Sequence, residues 1–149
     1  MQLIGRYELV SLPVFGLENL QAKVDTGAYT SSLHCHQTEE VTQPDGSTVL
    51  RARLLDPSWK EAYRPDAIFE RYSVTHVTSS NGVRQKRFKV RTKLKLGTKT
   101  YSVDLTLADR KKMDFPMLLG RKLLTGRFLV DVALAYALNP AEAPEHSPA

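Results

Sequence analysis

The chain has 149 residues, 42% of them apolar and 25% charged, which suits one soluble domain built on a single core. A lone cysteine, Cys35, excludes an intrachain disulfide framework and a multi-cysteine metal knuckle. The net charge is +5, yet eight cations between Arg84 and Lys99 occur without an acid among them, leaving 13 of the 21 basic residues against 16 acidic ones elsewhere.

The first twelve residues alternate apolar and polar side chains, with Arg6 and Glu8 among them, which is unlike a signal peptide. No apolar run is long enough to span a bilayer, and a cytoplasmic location is the expectation. Residues 7–14 and 20–24 read as the first two strands, joined by a turn over 15–19, and residues 31–36 as a third. Gln43-Pro44-Asp45-Gly46 signals a hairpin turn, since Asp-Gly supplies the positive φ that a tight turn needs. Residues 55–71, with Pro57, Trp59 and Pro65, fit either an irregular insertion or a short helix. From Phe88 to Leu96 the alternation is strict. Phe88, Val90, Thr92, Leu94 and Leu96 share one face, and Arg87, Lys89, Arg91, Lys93 and Lys95 the other. Gly97 and Thr98 turn the chain into a partner strand over 101–107. A short apolar run at 116–119 ends at Gly120, a brief helix is expected over 122–125, and a closing strand over 128–138. The last eleven residues hold three of the eight prolines and little to bury, so a disordered tail is expected over 139–149, after one domain over 1–138.

The segment Val24-Asp25-Thr26-Gly27-Ala28 follows a strand directly, so Asp25 leaves the sheet at the top of a loop. Gly27 lets backbone amides approach a carboxylate closely, and the Thr26 hydroxyl is placed to brace the loop. Taken locally, Asp25 is either a turn aspartate capping its own loop or a reactive carboxylate. The second feature is Met117-Leu118-Leu119-Gly120-Arg121-Lys122-Leu123-Leu124, two apolar residues and a glycine before a helix-like turn. The two features, in this order around a central glycine-bearing loop (Ser79, Ser80, Asn81, Gly82) and a long hairpin, resemble the retropepsins, the dimeric aspartic proteases. More closely, residues 24–34 and 115–131 resemble a bacterial retropepsin-like family. Its members are labelled ATP-dependent zinc proteases and occur alongside glutamate ligases of the ATP-grasp class.

The resemblance implies an all-β, closed barrel-like acid-protease fold with one catalytic loop per chain and a homodimeric active site. It implies Asp25 as the catalytic residue, with Thr26, Gly27 and Ala28 shaping its loop. Leu118, Leu119, Gly120 and Arg121 would support that loop, and Ser79 to Gly82 would form the flap tip. The chemistry needs two carboxylates, one acting as general base on water and the other as general acid. This chain has one Asp-Thr-Gly, and Asp104, Asp109, Asp114 and Asp131 lack that context, so a twofold axis must bring Asp25 to its own mate. Ala28 has no hydroxyl to bond the carboxylate, and activity nearer neutral pH than in secreted acid proteases is expected.

His34-Cys35-His36 raises a zinc site, since His34 and His36 would share one face of a strand, but no further ligands stand near in sequence and no metal is expected. Cys35 is poorly placed as a nucleophile, because its histidine neighbours point to the opposite face. There is no phosphate-binding glycine loop for ATP, and no cofactor is expected. The cationic strand has three readings: a solvated face that discourages edge pairing, a nucleic-acid surface, or a guide for an acidic substrate. The nucleic-acid reading is the weaker one, since no aromatic residues alternate with the cations. Arg84, Lys86 and Arg87 lie just after Gly82, at the base of the expected flap, which favours the substrate reading. The resemblance implies the same: a glutamate-rich protein tail, a ribosomal protein's among the options, cut inside or from its end. The reading is thus an aspartic peptidase acting as a homodimer on a protein substrate, without membrane association. Its rival is a non-catalytic module that holds an acidic peptide or RNA in the same groove.

Overall fold

In the computed structural model, residues 1–78, 81–110 and 114–144 are described. The strands are β1 (Gln2–Ile4), β2 (Tyr7–Leu12), β3 (Leu17–Val24), β4 (Ser31–Thr42), β5 (Thr48–Leu54), β6 (Arg64–Phe69), β7 (Ser73–Thr78), β8 (Arg84–Leu96), β9 (Lys99–Ala108), β10 (Met117–Leu119) and β11 (Phe128–Val130). One short helix, α1 (Arg121–Leu124), follows β10. The fold is mainly β, as expected. Strands β10, β3, β2, β8, β9 and β4 pair in that order, and β4 pairs again with β10. The result is a ring of six strands, though not a regular barrel, because several of its seams are only two to four residues long.

The ring closes around the apolar faces that the alternation marks. Leu12, Leu17, Leu33, Leu94, Leu96, Leu105, Met117 and Leu119 are all fully buried. On β8 the even-numbered residues from Val90 to Leu96 point inward and the cations between them stay exposed, which is the period-2 pattern of a strand with one wet face.

Three segments differ from the sequence expectations. The third strand runs on from 36 to Thr42, residues 48–54 fold back on it as β5, and within 55–71 a short 3-10 helix is followed by a strand, β6, that pairs with β5. Its turn does fall on Asp45-Gly46, with the Ser47 amide donating to Asp45 Oδ1 at 3.0 Å. Between β5 and β6 a 3-10 segment, Pro57–Ala62, is capped by Asp56, which accepts the Ser58 amide at 2.8 Å. The expected closing strand stops at Val130. Asp131 there takes the Ala133 and Leu134 amides into a turn, and a buried acid substitutes for the missing ladder. Glu8, wholly enclosed, accepts the amides of Gly5 (2.8 Å), Ala137 (3.0 Å) and Leu138 (3.2 Å). The tail is not featureless, since Pro140–Glu142 forms a 3-10 turn; residues 145–149 lie outside the described residues.

Candidate active site

The loop after β3 is held by the segment that follows β10. The Asp25 amide donates to the Leu119 carbonyl at 2.9 Å, just where β3 and β10 part. Two residues on, the Gly27 amide donates to Asp25 Oδ1 at 2.9 Å, and the Ala28 amide returns to the Asp25 carbonyl at 3.2 Å. Asp25 itself is half-buried, while Thr26 and Gly27 are exposed. A half-buried carboxylate with one amide on one oxygen, at the tip of a rigid turn, is a group that can still exchange a proton with something arriving from outside.

Each loop-support residue expected from the sequence touches this loop or the strands beside it. The first amides of α1 donate to the loop, Arg121 to the Ala28 carbonyl (2.8 Å) and Lys122 to the Tyr29 carbonyl (2.9 Å). The Arg121 guanidinium donates to the Thr26 carbonyl at 3.0 Å and lies over the Tyr29 ring. Leu118 sits in register between Lys23 of β3 and Ser32 of β4. Gly120 donates its amide to Ser31 Oγ at 3.0 Å, and a Cβ built on it would lie 2.7 Å from the Tyr29 carbonyl oxygen. That close approach of two backbones is why glycine follows the two leucines. The bracing expected of the Thr26 hydroxyl is done within the chain by its carbonyl instead; the hydroxyl has no partner among the described residues.

The candidate flap is the β7–β8 hairpin, paired from Ser73 opposite Lys89 to Thr78 opposite Arg84. Ser79 and Ser80 lie outside the described residues. Asn81 accepts the Val83 amide at 3.2 Å, and Gly82 turns the chain at φ +83°. Strand alternation separates the three cations grouped from the sequence. Arg84 and Lys86 share the face of Phe88, over whose ring the Lys86 ammonium lies, whereas Arg87 projects from the other face. An open cleft of about 480 Å³ at the foot of this hairpin is lined by His36, Gln37, Lys86, Arg87 and Asp109. Part of the cationic strand is neutralised locally: Asp104 binds Arg91 at 3.0 Å and also Lys122, and Lys122 first, then Arg91, hold its carboxyl below the usual range. Lys86 stands 3.9 Å from Glu40, and among the described residues Arg84, Arg87, Lys89 and Lys95 have no acidic partner.

The His34-Cys35-His36 run is not two histidines on one face. A bulge between Cys35 and Gln37 breaks the alternation, leaving His34 buried and His36 exposed. Burial pushes the Cys35 thiol up to about 11, so it is a core residue and a poor nucleophile. His34 Nε2 lies 2.6 Å from Asp56 Oδ2, and its Nδ1 accepts the Arg110 amide at 2.8 Å. The pattern fixes His34 as the tautomer that carries its proton on Nε2. Ser58 and then His34 hold the Asp56 carboxyl down at about 2. Among the described residues no three His, Cys, Asp or Glu side chains come together to hold a metal ion.

Sequence reasoning missed Ser31, Ser32, Asp56 and Arg110, and it weighed His34 only as a zinc ligand or a neighbour of Cys35, not as a partner of Asp56 and Arg110. Arg110 Nη1 donates to Ser32 Oγ at 3.3 Å, while its Nε and Nη2 are buried without partners among the described residues. No local pattern marks these residues, because they meet only when β4, β9 and the 3-10 segment are packed together.

Comparison with known proteins agrees with this geometry. A family model described as "Retropepsin-like aspartic endopeptidase RimB" matches residues 3–140. The chain is 36% identical over 143 residues, 93% of its length, to a "Probable alpha-L-glutamate ligase" of Desulfotalea psychrophila, and 34% identical to one of Parasynechococcus marenigrum over 87% of its length. It spans 30% and 28% of the length of those two relatives. Among solved structures, a Legionella pneumophila protein of unknown function, Lpg0085, superposes with a TM-score of 0.66 at 29% identity, covering 92% of this chain and 98% of that one.

Proposed function

This chain belongs to the RimB-like family of retropepsin-like aspartic endopeptidases, and from that premise we propose that it hydrolyses peptide bonds in a glutamate-rich protein tail, using two Asp25 carboxylates contributed by the two subunits of a homodimer. The observation that carries the reading is the single Asp25-Thr26-Gly27 loop, exposed at its tip and clamped from behind by Leu119, Gly120 and Arg121. Two carboxylates brought together across a twofold share one proton, since both cannot ionise cheaply at close range. The ionised one takes a proton from water as the water oxygen bonds the peptide carbon. The protonated one gives its proton to the carbonyl oxygen. The C–N bond then breaks as the nitrogen takes up a proton.

The acidic substrate draws support from two directions. Cations that have no acidic partner among the described residues line the candidate flap hairpin, and the relatives that match the chain carry the name of glutamate ligases. A catalyst that trims what a ligase adds would need a cleft of this sign.

Incubation of wild type and Asp25→Asn with a glutamate-tailed protein, read by intact mass, tests the reading. The wild type shortens the tail, and Asp25→Asn does so slower by about 10²–10⁴-fold, the range for loss of a general acid–base group. A wild type that binds the tail without ever shortening it would instead make the chain a holding module.

A further inference from the structure

Arg110 is held at two points and, among the described residues, unpartnered at a third. Its amide is anchored on His34 Nδ1, which the buried Asp56 pins from the other side of the ring. One corner of its guanidinium, Nη1, is anchored on Ser32 Oγ. The remaining donors, Nε and Nη2, are buried and have no partner among the described residues. Those two nitrogens share one edge of the guanidinium, the edge that grips a carboxylate through two parallel hydrogen bonds. A half-buried cation whose enclosed donors are unmet is costly unless an anion completes it.

The position of that edge is set by register. Ser32 lies opposite Leu118 of β10, and the next residue, Leu119, takes the Asp25 amide. Ser32, which holds Arg110, is therefore paired with the residue next to the one that anchors the Asp25 amide. Arg87, at the foot of the hairpin, is the second cation there. Burial first and then Arg87 push the Arg110 guanidinium down from its ordinary value, with Asp25 acting the other way. Asp25 is one negative group that acts on Arg110, and the unmet donors of its guanidinium call for a second.

We propose that Arg110, held by Ser32 and the His34–Asp56 pair and assisted by Arg87, forms a carboxylate-binding subsite beside Asp25 that fixes one acidic group of the substrate. This rests on the acidic-substrate reading above and gives it a residue. The donors are already stripped of water, so a carboxylate gains two charge-assisted hydrogen bonds without displacing a hydration shell from the protein side. An amide in its place leaves at least one donor unmet, which is how such a site discriminates glutamate from glutamine.

Calorimetric binding tests the subsite apart from hydrolysis. The Asp25→Asn chain is titrated with blocked hexaglutamate, with six peptides carrying one glutamine each, and with hexaglutamate bearing a free C-terminus. One glutamine position is expected to weaken binding at least 10-fold, and adding Arg110→Gln should weaken the parent peptide comparably while having no further effect on that one peptide. If instead only the free C-terminus gives the Arg110-dependent gain, the bound group is the terminal carboxylate and the subsite stands. An unchanged pattern of preferences in Arg110→Gln overturns it. Arg110→Met guards against a merely structural role: the midpoint of thermal unfolding should hold or rise, because two enclosed and unmet donors are removed, and a large fall overturns the proposal. Arg110-dependent binding by a wild type that cleaves nothing would sink the peptidase reading alone. Cleavage of hexaglutamate at a rate indifferent to Arg110 would sink the subsite alone.

Discussion

The candidate site turns on how little space one residue leaves. Gly120 is the point where the strand before α1 crosses the back of the Asp25 loop, and its backbone lies against those of Tyr29 and Thr30. Its φ of −99° is open to any residue, so the requirement is one of volume and not of conformation. A methyl there would press on the Tyr29 carbonyl, which is itself the acceptor of the Lys122 amide. The neighbour cannot yield without loosening that bond. Gly120→Ala is therefore expected to cost about 1–3 kcal/mol, the usual range for overpacking a rigid interior. Because the displaced atoms belong to the loop that carries Asp25, the variant should lose peptidase rate at temperatures where it is still folded. Thermal unfolding and tail cleavage measured on the same sample separate the two effects. Full activity alongside lowered stability would show that the clamp supports the fold without setting the loop.

Among the elements, those with a strict local period were legible and those made by distant partners were not. The β8–β9 hairpin was plain because every second residue from Phe88 to Leu96 is apolar or Thr92, and the ring needed no other signal there. Residues 55–71 were opaque because their order comes from side chains remote in sequence: Arg64 donates to the Phe15 carbonyl at 2.7 Å, and Asp56 reaches back to His34. The short final strand was overestimated for the opposite reason. Its apolar run continues past Asp131, but the Glu8 carboxylate takes the amides that a ladder would have used. The Asp25 loop and its Leu-Leu-Gly clamp were readable as motifs, whereas Arg110 has no motif.

The Asp56 cap also makes the insertion a pH-dependent element. Its folded carboxyl is depressed to about 2 by Ser58 and His34, against about 3.9 for an ordinary aspartate. A depressed acid stabilises the fold above its unfolded value and loses that contribution as pH falls, so the window runs from about pH 4 down to 2. Asp56→Asn keeps the shape and removes the charge. It should be less stable than wild type at pH 7 by about 1–3 kcal/mol, and the gap should close between pH 4 and 2. Denaturant melts of both chains at several pH values check this, and the subtraction cancels other carboxylates such as Asp45 and Asp104. A gap that stays constant across the window would mean that the Asp56 charge does not report on folding.

At the scale of the whole molecule, the proposed chemistry requires a second copy, and the chain offers a face for it. Strands β1 and β11 form a separate two-stranded parallel sheet with Leu3 directly opposite Leu129. Both are exposed, at 47% and 55%, and Met1, just before β1, and Val132, in the turn after β11, are more exposed still, at 79% and 73%. One exposed leucine is ordinary, but two in register on a small sheet edge form a patch that a partner can cover. In a twofold interface each side chain is buried twice, once per subunit, so single substitutions act doubly. Burying a leucine contributes about 1.5–3 kcal/mol, and a charge in its place adds a desolvation cost. Leu3→Asp should thus weaken a dimer by at least about 3 kcal/mol, roughly 100-fold, and Leu3→Asp with Leu129→Asp by about 10⁴-fold. Both side chains are exposed on the single chain, so the folded subunit should be retained. Sedimentation equilibrium would then show the double variant as a monomer at concentrations where wild type is a dimer, with cleavage lost in parallel. Raising the concentration of Leu3→Asp alone should restore activity along the same curve that restores the dimer. Full activity from a strictly monomeric variant would remove the requirement for a second Asp25 and with it the two-carboxylate mechanism.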